Sequence, residues 1–285
     1  MKALFSKKMI AGAAAALSLF ATAGAQAATV LPDFVVVPPG GTRADDGFTA
    51  DKITGNYTEV ATFNPDGTFN VSLLWVAGQF VANDGNTPYQ GADTGLGARY
   101  GMYATYQASG RFSTSTTGVT TFRFTPGTGS FQLFLDQNND SISRFNTLFY
   151  TPPATGADAF QFQPGRVDDD LLLASGQAVR GVGTLDPTLE TCGNSDPRAI
   201  NCGSFGSTTT FSLEEAGLNF FVDPRPFYNL SFQAGQLNNF TPTGTQTING
   251  SLDVVFGVPE PTSLGLLGLG LLGLSAAAKR RKQAK

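Results

Sequence analysis

Several stretches of this chain alternate apolar and polar side chains, and that period of two governs what it can fold into. Tyr57–Phe63 (YTEVATF), Thr68–Val76 (TFNVSLLWV), Arg99–Phe112 (RYGMYATYQASGRF), Val119–Phe124 (VTTFRF) and Phe131–Asp136 (FQLFLD) are rich in Thr, aromatic and β-branched residues. Thr209–Leu213, Phe227–Gln233 and Thr247–Phe256 follow in the same style. Alternation of this kind marks strands with one buried face. Turn clusters such as NPDG, TPGTG and TPTGT separate them. Little helix is indicated, with a single turn in SLEEAGLNFF. The 34 Gly and 24 Phe suit many turns joined to sheets packed through aromatic rings. The fold class is therefore all-β, expected as an antiparallel β-sandwich or jelly roll flanked by two targeting segments. No fixed-period repeat breaks the domain, and Thr151–Phe160 is the candidate for a long connection.

Residues 1–27 read as a signal peptide. Lys2, Lys7 and Lys8 precede an apolar run from Met9 to about Ala23, and Ala25-Gln26-Ala27 supplies a small-residue cleavage signature ahead of Ala28. Residues 28–257 then form the exported domain, about 230 residues, enough for one core. The remainder, 258–285, has a different character. Pro259-Glu260-Pro261 is followed by 17 uncharged residues, Thr262 to Ala278, rich in Leu and Gly. Lys279, Arg280, Arg281, Lys282 and Lys285 close the chain. As a helix the apolar run spans roughly 25 Å, close to a bilayer core. Positive charge stays on the cytoplasmic side, so the domain would be held outside. Both prolines keep the flanking peptide extended.

This order of motif, apolar helix and basic tail resembles the PEP-CTERM sorting signal. The resemblance implies an exosortase, a membrane-embedded cysteine transpeptidase, as processing partner. It also implies transient membrane insertion through the C-terminal helix and cleavage near Pro259, Glu260 and Pro261. The product would be released or transferred to the cell surface or extracellular matrix of a Gram-negative bacterium.

Between the two basic clusters, residues 28–278 carry ten Lys and Arg against 22 Asp and Glu, a formal charge of −12. Nucleic acid and anionic membranes are poor partners for such a surface; divalent cations and neutral polymers are better ones. The chain has no His. That excludes a Ser-His-Asp triad, His-ligated zinc and His general bases. Carboxylate-only catalysis, as in glycosidases, stays open.

Cys192 and Cys202 are the two cysteines, and an exported pair is expected to form a disulfide. Two thiols without His make a weak metal site, and the spacing is not C-x-x-C. In LDQNNDS, Asp136, Asn138 and Asp140 set oxygen ligands at alternate positions, as calcium loops do. Ser141 and Thr147 stand where an EF-hand needs Gly and Glu, so the choice lies between a looser Ca2+ site and an Asx-rich turn. No other cofactor is expected. Asp168, Asp169 and Asp170 read as a solvated loop, and Trp75 and the tyrosines as core.

FTADKITGNYTEVATFN, GQFVANDG, LLLASGQAVRGVGTLDP, NCGSFGSTTTFSL and FYNLSFQAGQLNNF resemble the flocculation-associated PEP-CTERM family of floc-forming Gram-negative bacteria. That resemblance implies association with exopolysaccharide and a role in floc or biofilm formation, and it supplies no catalytic residue. The expectation is a non-enzymatic matrix protein that meets polymer through exposed polar and aromatic side chains. Two other classes stay open: a secreted polysaccharide-acting enzyme with paired carboxylates, and a small-ligand-binding surface protein.

Overall fold

In the computed structural model, which describes residues 30–141, 149–192 and 201–258, the alternating segments pair in chain order. Signal-cleavage residues Ala25, Ala27 and Ala28, the sorting residues Pro259, Glu260 and Pro261, and the apolar run beyond them lie outside the described residues. The strands are β1 (Phe34–Val36), β2 (Phe48–Ala50), β3 (Lys52–Phe63), β4 (Thr68–Ala82), β5 (Thr87–Pro88), β6 (Gly101–Thr114), β7 (Thr120–Phe124) and β8 (Ser130–Asp136). They continue as β9 (Tyr150–Thr151), β10 (Gln161–Phe162), β11 (Leu171–Gly176), β12 (Ala178–Leu185), β13 (Gly203–Thr210), β14 (Ser212–Leu213), β15 (Phe221–Asp223), β16 (Leu230–Leu237) and β17 (Gly244–Gly257). Two short helices interrupt them, α1 (Gly91–Thr94) and α2 (Glu215–Phe220).

Eight staves form a closed antiparallel barrel. β7 with β8, β11 with β12, and β13 with β14 each act as one stave broken by a bulge or short loop. Each stave pairs with its neighbour in sequence, β4 with β6 included. The last, β17, pairs with the first, β3, from Gly244↔Phe63 to Val254↔Ile53. The all-β expectation holds, but this strand order is neither a sandwich nor a jelly roll. Period two shows that one face of each strand is buried. It does not say whether that face meets a second sheet or the far wall of its own barrel.

The buried face is the inward one. On β3 it carries Ile53, Tyr57, Ala61 and Phe63, and on β4 it carries Phe69, Val71, Leu73 and Trp75. Ring and glycine are matched across the interior. Gly55 faces Trp75, Gly110 faces Phe69, Gly181 faces Phe124, Gly235 faces Phe205 and Gly250 faces Tyr57; a Cβ at any of them would come within 2.2–2.8 Å of a ring atom. This close approach explains why glycine-rich β12 is a strand although its composition does not advertise it.

Both ends of the barrel are closed by aromatic rings. At one end the small sheet β15-β1-β2 brings Phe34 to Phe256 (5.1 Å between centroids) and Phe221 (5.9 Å). At the other, Phe240 stacks on Phe63 at 5.8 Å, beside Phe122. The connection between β12 and β13 at that end is tied by the Cys192–Cys202 disulfide, both cysteines fully buried. The segment after β8 carries the β9–β10 hairpin and lays Phe160 against outward-facing Val60, Leu74 and Tyr103.

The rest of the outer face of β3 and β17 is polar. Thr58 donates to Asn249 at 2.8 Å, and Thr62 meets Thr245 at 2.9 Å. A strand facing lipid shows the opposite alternation, apolar outward. Among the described residues no helix is long and apolar enough to cross a membrane.

The matching of glycine to ring gives a direct test. In Gly110→Ala the new Cβ would sit 2.3 Å from the Arg123 carbonyl oxygen and 2.5 Å from the Phe69 ring. Overpacking of this kind costs about 1–3 kcal/mol. Urea unfolding of the purified domain should show that loss, and an unchanged midpoint would mean β6 and β7 part at this point without penalty.

Candidate functional site

Two places concentrate polar chemistry: an acidic loop on the outside and a carboxyl inside the barrel. The loop follows β8. Asp136 is buried, and both its carboxylate oxygens accept backbone N–H groups, from Asp140 at 3.0 Å and Ser141 at 2.9 Å. Asn138 turns away and donates to Asp169 at 2.7 Å. Asp140 is half-buried, one oxygen 3.8 Å from Arg166 and the other without a hydrogen-bond partner among the described residues. The three residues proposed from their spacing therefore do not converge on one point. Alternate positions share a face in a strand, but here the chain is turning, and the turn consumes the Asp136 oxygens. Among the described residues no group of three or more His, Cys, Asp or Glu is arranged to hold a metal ion.

Asp170, from the triple-Asp stretch, is not solvated as its composition suggests. It accepts from Tyr103 at 2.6 Å and from Ser141 at 2.7 Å. Burial pushes its carboxyl up to about 6, with Asp136 and Asp169 adding to the rise and those two hydrogen bonds opposing it. Asp136 and Asp170 are thus both capped by protein donors. They tie the loop to β6.

The interior holds the second place, which the sequence reading passed over. Glu59 occupies the inward phase of β3, between Tyr57 and Ala61. Register sets Ile248, Glu59, Leu73, Tyr106 and Phe131 side by side on five consecutive staves. Two adjoining cavities, of about 50 and 40 Å³, share Glu59, Phe124 and Phe205 as walls. Trp75, Leu73 and Tyr106 line the first; Phe63, Phe69 and Phe122 line the second.

Most polar atoms around the first cavity are satisfied. Ser207 donates to Gln233 at 2.7 Å, Gln233 donates to Thr209 at 3.2 Å and to Ser231, and Trp75 donates to the Leu252 carbonyl at 3.2 Å. Two groups are not. The Tyr106 hydroxyl is buried without a hydrogen-bond partner among the described residues. The Glu59 carboxyl has no hydrogen bond or ion pair to any described residue, and the residue is half-buried in the barrel wall. The surface it retains faces the cavities. Burial alone pushes it up to about 7. Burial, with the Glu59 charge adding to it, holds the Tyr57 and Tyr106 hydroxyls above the usual tyrosine range. The signal was present in YTEVATF, where an acid stands in the phase otherwise given to Tyr, Ala and Phe.

The barrel ends at Gly257, and a recognisable segment begins there. Residues 257–282 match the PEP-CTERM protein-sorting motif. The motif implies an exported protein sorted by an exosortase to the cell envelope or surface of a Gram-negative bacterium. It covers the tail and not the barrel. No curated protein and no solved structure matches the chain.

Glu59 predicts a pH dependence. Its folded-state pKa lies above the unfolded value of 4.5, at about 7, so folding takes up a proton between those limits. Stability then falls as pH rises from about 4.5 to about 7 and stays reduced above it. The shift corresponds to about 3 kcal/mol. Glu59→Gln should raise the melting temperature clearly at alkaline pH and hardly at all below the unfolded pKa, as read by thermal unfolding across a pH series. For the outer loop, melting temperatures in millimolar calcium and in EDTA should coincide, because the Asp136 oxygens are already bonded. A calcium-dependent rise would show that the loop opens to coordinate the ion.

Proposed function

We propose that this chain is a non-enzymatic component of the extracellular matrix, sorted by an exosortase and associated with exopolysaccharide so as to promote floc or biofilm formation. The observation that carries the reading is the junction at Gly257. The final barrel strand ends on the residue where the sorting motif begins, so cutting near Pro259-Glu260-Pro261 removes no ladder hydrogen bond and frees an intact barrel. The likeness of FTADKITGNYTEVATFN and FYNLSFQAGQLNNF to the flocculation-associated family supports the matrix part of the reading.

Contact with polymer falls to the Thr, Asn and Gln side chains outside. Every aromatic residue among the described ones is buried or half-buried, so stacking platforms for sugar rings are not what this surface offers. The hydroxyl and amide ladder of β3 and β17 matches polymer hydroxyls in hydrogen-bond capacity. An enzyme using paired carboxylates is disfavoured by the capping of Asp136 and Asp170 and by the isolation of Glu59 in its cavity wall.

Replacing Pro259, Glu260 and Pro261 with Ala tests the reading. The variant should stay in the inner membrane with Lys279–Lys285 attached by intact mass, and the cells should lose flocs while still secreting polymer. Wild-type matrix protein that retains the basic tail would overturn the sorting step. Flocs that persist without any surface-released protein would overturn the matrix role.

A further inference from the structure

The interior of a closed barrel is the most protected space in this protein, and it contains a carboxyl that nothing among the described residues neutralises. A buried ion is normally paired, hydrogen-bonded or held protonated, because removing it from water costs several kcal/mol. Ser207, Gln233 and Thr209 show that this barrel does satisfy internal polar groups where it needs no others. Glu59 is treated differently. It stands in the shared wall of two cavities, on the same ring of staves as the unpartnered Tyr106 hydroxyl.

We propose that this interior is a binding site for a small apolar amine, held as its ammonium ion on the Glu59 carboxylate. The chemistry of the walls selects that class. An ammonium supplies N–H donors, and Glu59 and the Tyr106 oxygen are acceptors two staves apart. Aromatic faces at Phe124, Phe205 and Trp75 attract a cation as well as an apolar body. An anion would meet the Glu59 charge unopposed. A hydrocarbon would fill space yet leave the carboxyl unpaired. The acidic domain outside the cavity raises the local concentration of cations and lowers that of anions. Size sets the upper limit: about 50 and 40 Å³ hold one or two water molecules each, where a cavity that takes benzene has about 150 Å³, so an amine of one or two carbons fits and a ring or a sugar does not. This reading is independent of sorting and of polymer contact.

Trp75 makes the test direct, because it is the only tryptophan in the chain and it lines the first cavity. The purified domain is titrated with methylamine at about pH 8, with methanol and formate as neutral and anionic counterparts, following Trp75 emission and melting temperature. Methylamine should give a saturable emission change and raise the melting temperature. Methanol should bind at least about tenfold more weakly, and formate not at all. Glu59→Gln is isosteric and should keep the barrel folded while weakening methylamine at least about tenfold. Tyr106→Phe should weaken it less and leave the fold intact. Methylamine without effect on emission or melting, equal binding of methanol, or undiminished binding by Glu59→Gln would each overturn the proposal.

Discussion

Everything inside this domain depends on one ladder, the pairing of β17 with β3. It joins eleven residue pairs, Gly244↔Phe63 to Val254↔Ile53, between the two ends of the barrel sequence. Without it the staves would form an open sheet with two long free edges, a form prone to pair with other chains. With it the inward faces meet one another and the core becomes a cylinder. Closure entropy grows only logarithmically with the length of chain enclosed, so joining distant ends is less costly than their separation suggests. The aromatic closures follow from the same pairing, because Phe63 and Phe256 lie near opposite ends of the ladder's two strands and each seeds one cluster.

The strands were legible where alternation was strong. YTEVATF, TFNVSLLWV and TINGSLDVVF all lie within long staves, and the NPDG turn joins β3 to β4. Their partners were not legible, since nothing in β3 names β17 as its neighbour. Glycine hid a further stave, because Gly181, which admits the Phe124 ring, lowers the apparent strand signal of β12. The cysteine pairing was legible from compartment chemistry. In the acidic loop alternate spacing does not give a shared face, because the chain turns after Asp136 and Asp136, Asn138 and Asp140 take different partners.

Glu59 shows how a fixed register turns a single residue into a site. A slip of one position would put it among Thr58 and Thr62 in solvent, and nothing would follow from it. In the observed register it lies between Tyr57 and Ala61, with Leu73 across the ladder. The same register brings Tyr106 to that level from two staves away. An acid in the inward phase of YTEVATF was the one signal in the sequence; the common level of Glu59 and Tyr106 inside a closed wall is what leaves both without partners among the described residues.

Closure also bears on how such a protein could hold cells together. A barrel without free edges does not grow by adding strands, and among the described residues only short elements such as β2 and β15 present edges. Like-charged acidic domains repel within a screening length of about 8 Å at physiological salt. Direct barrel-to-barrel adhesion is therefore opposed both by topology and by charge. On the reading proposed above, cohesion passes through a third component: a hydroxyl-rich polymer bridging the polar outer ladders. The barrel then acts as a rigid cross-link whose interior takes no part in cohesion and stays free for a ligand of its own.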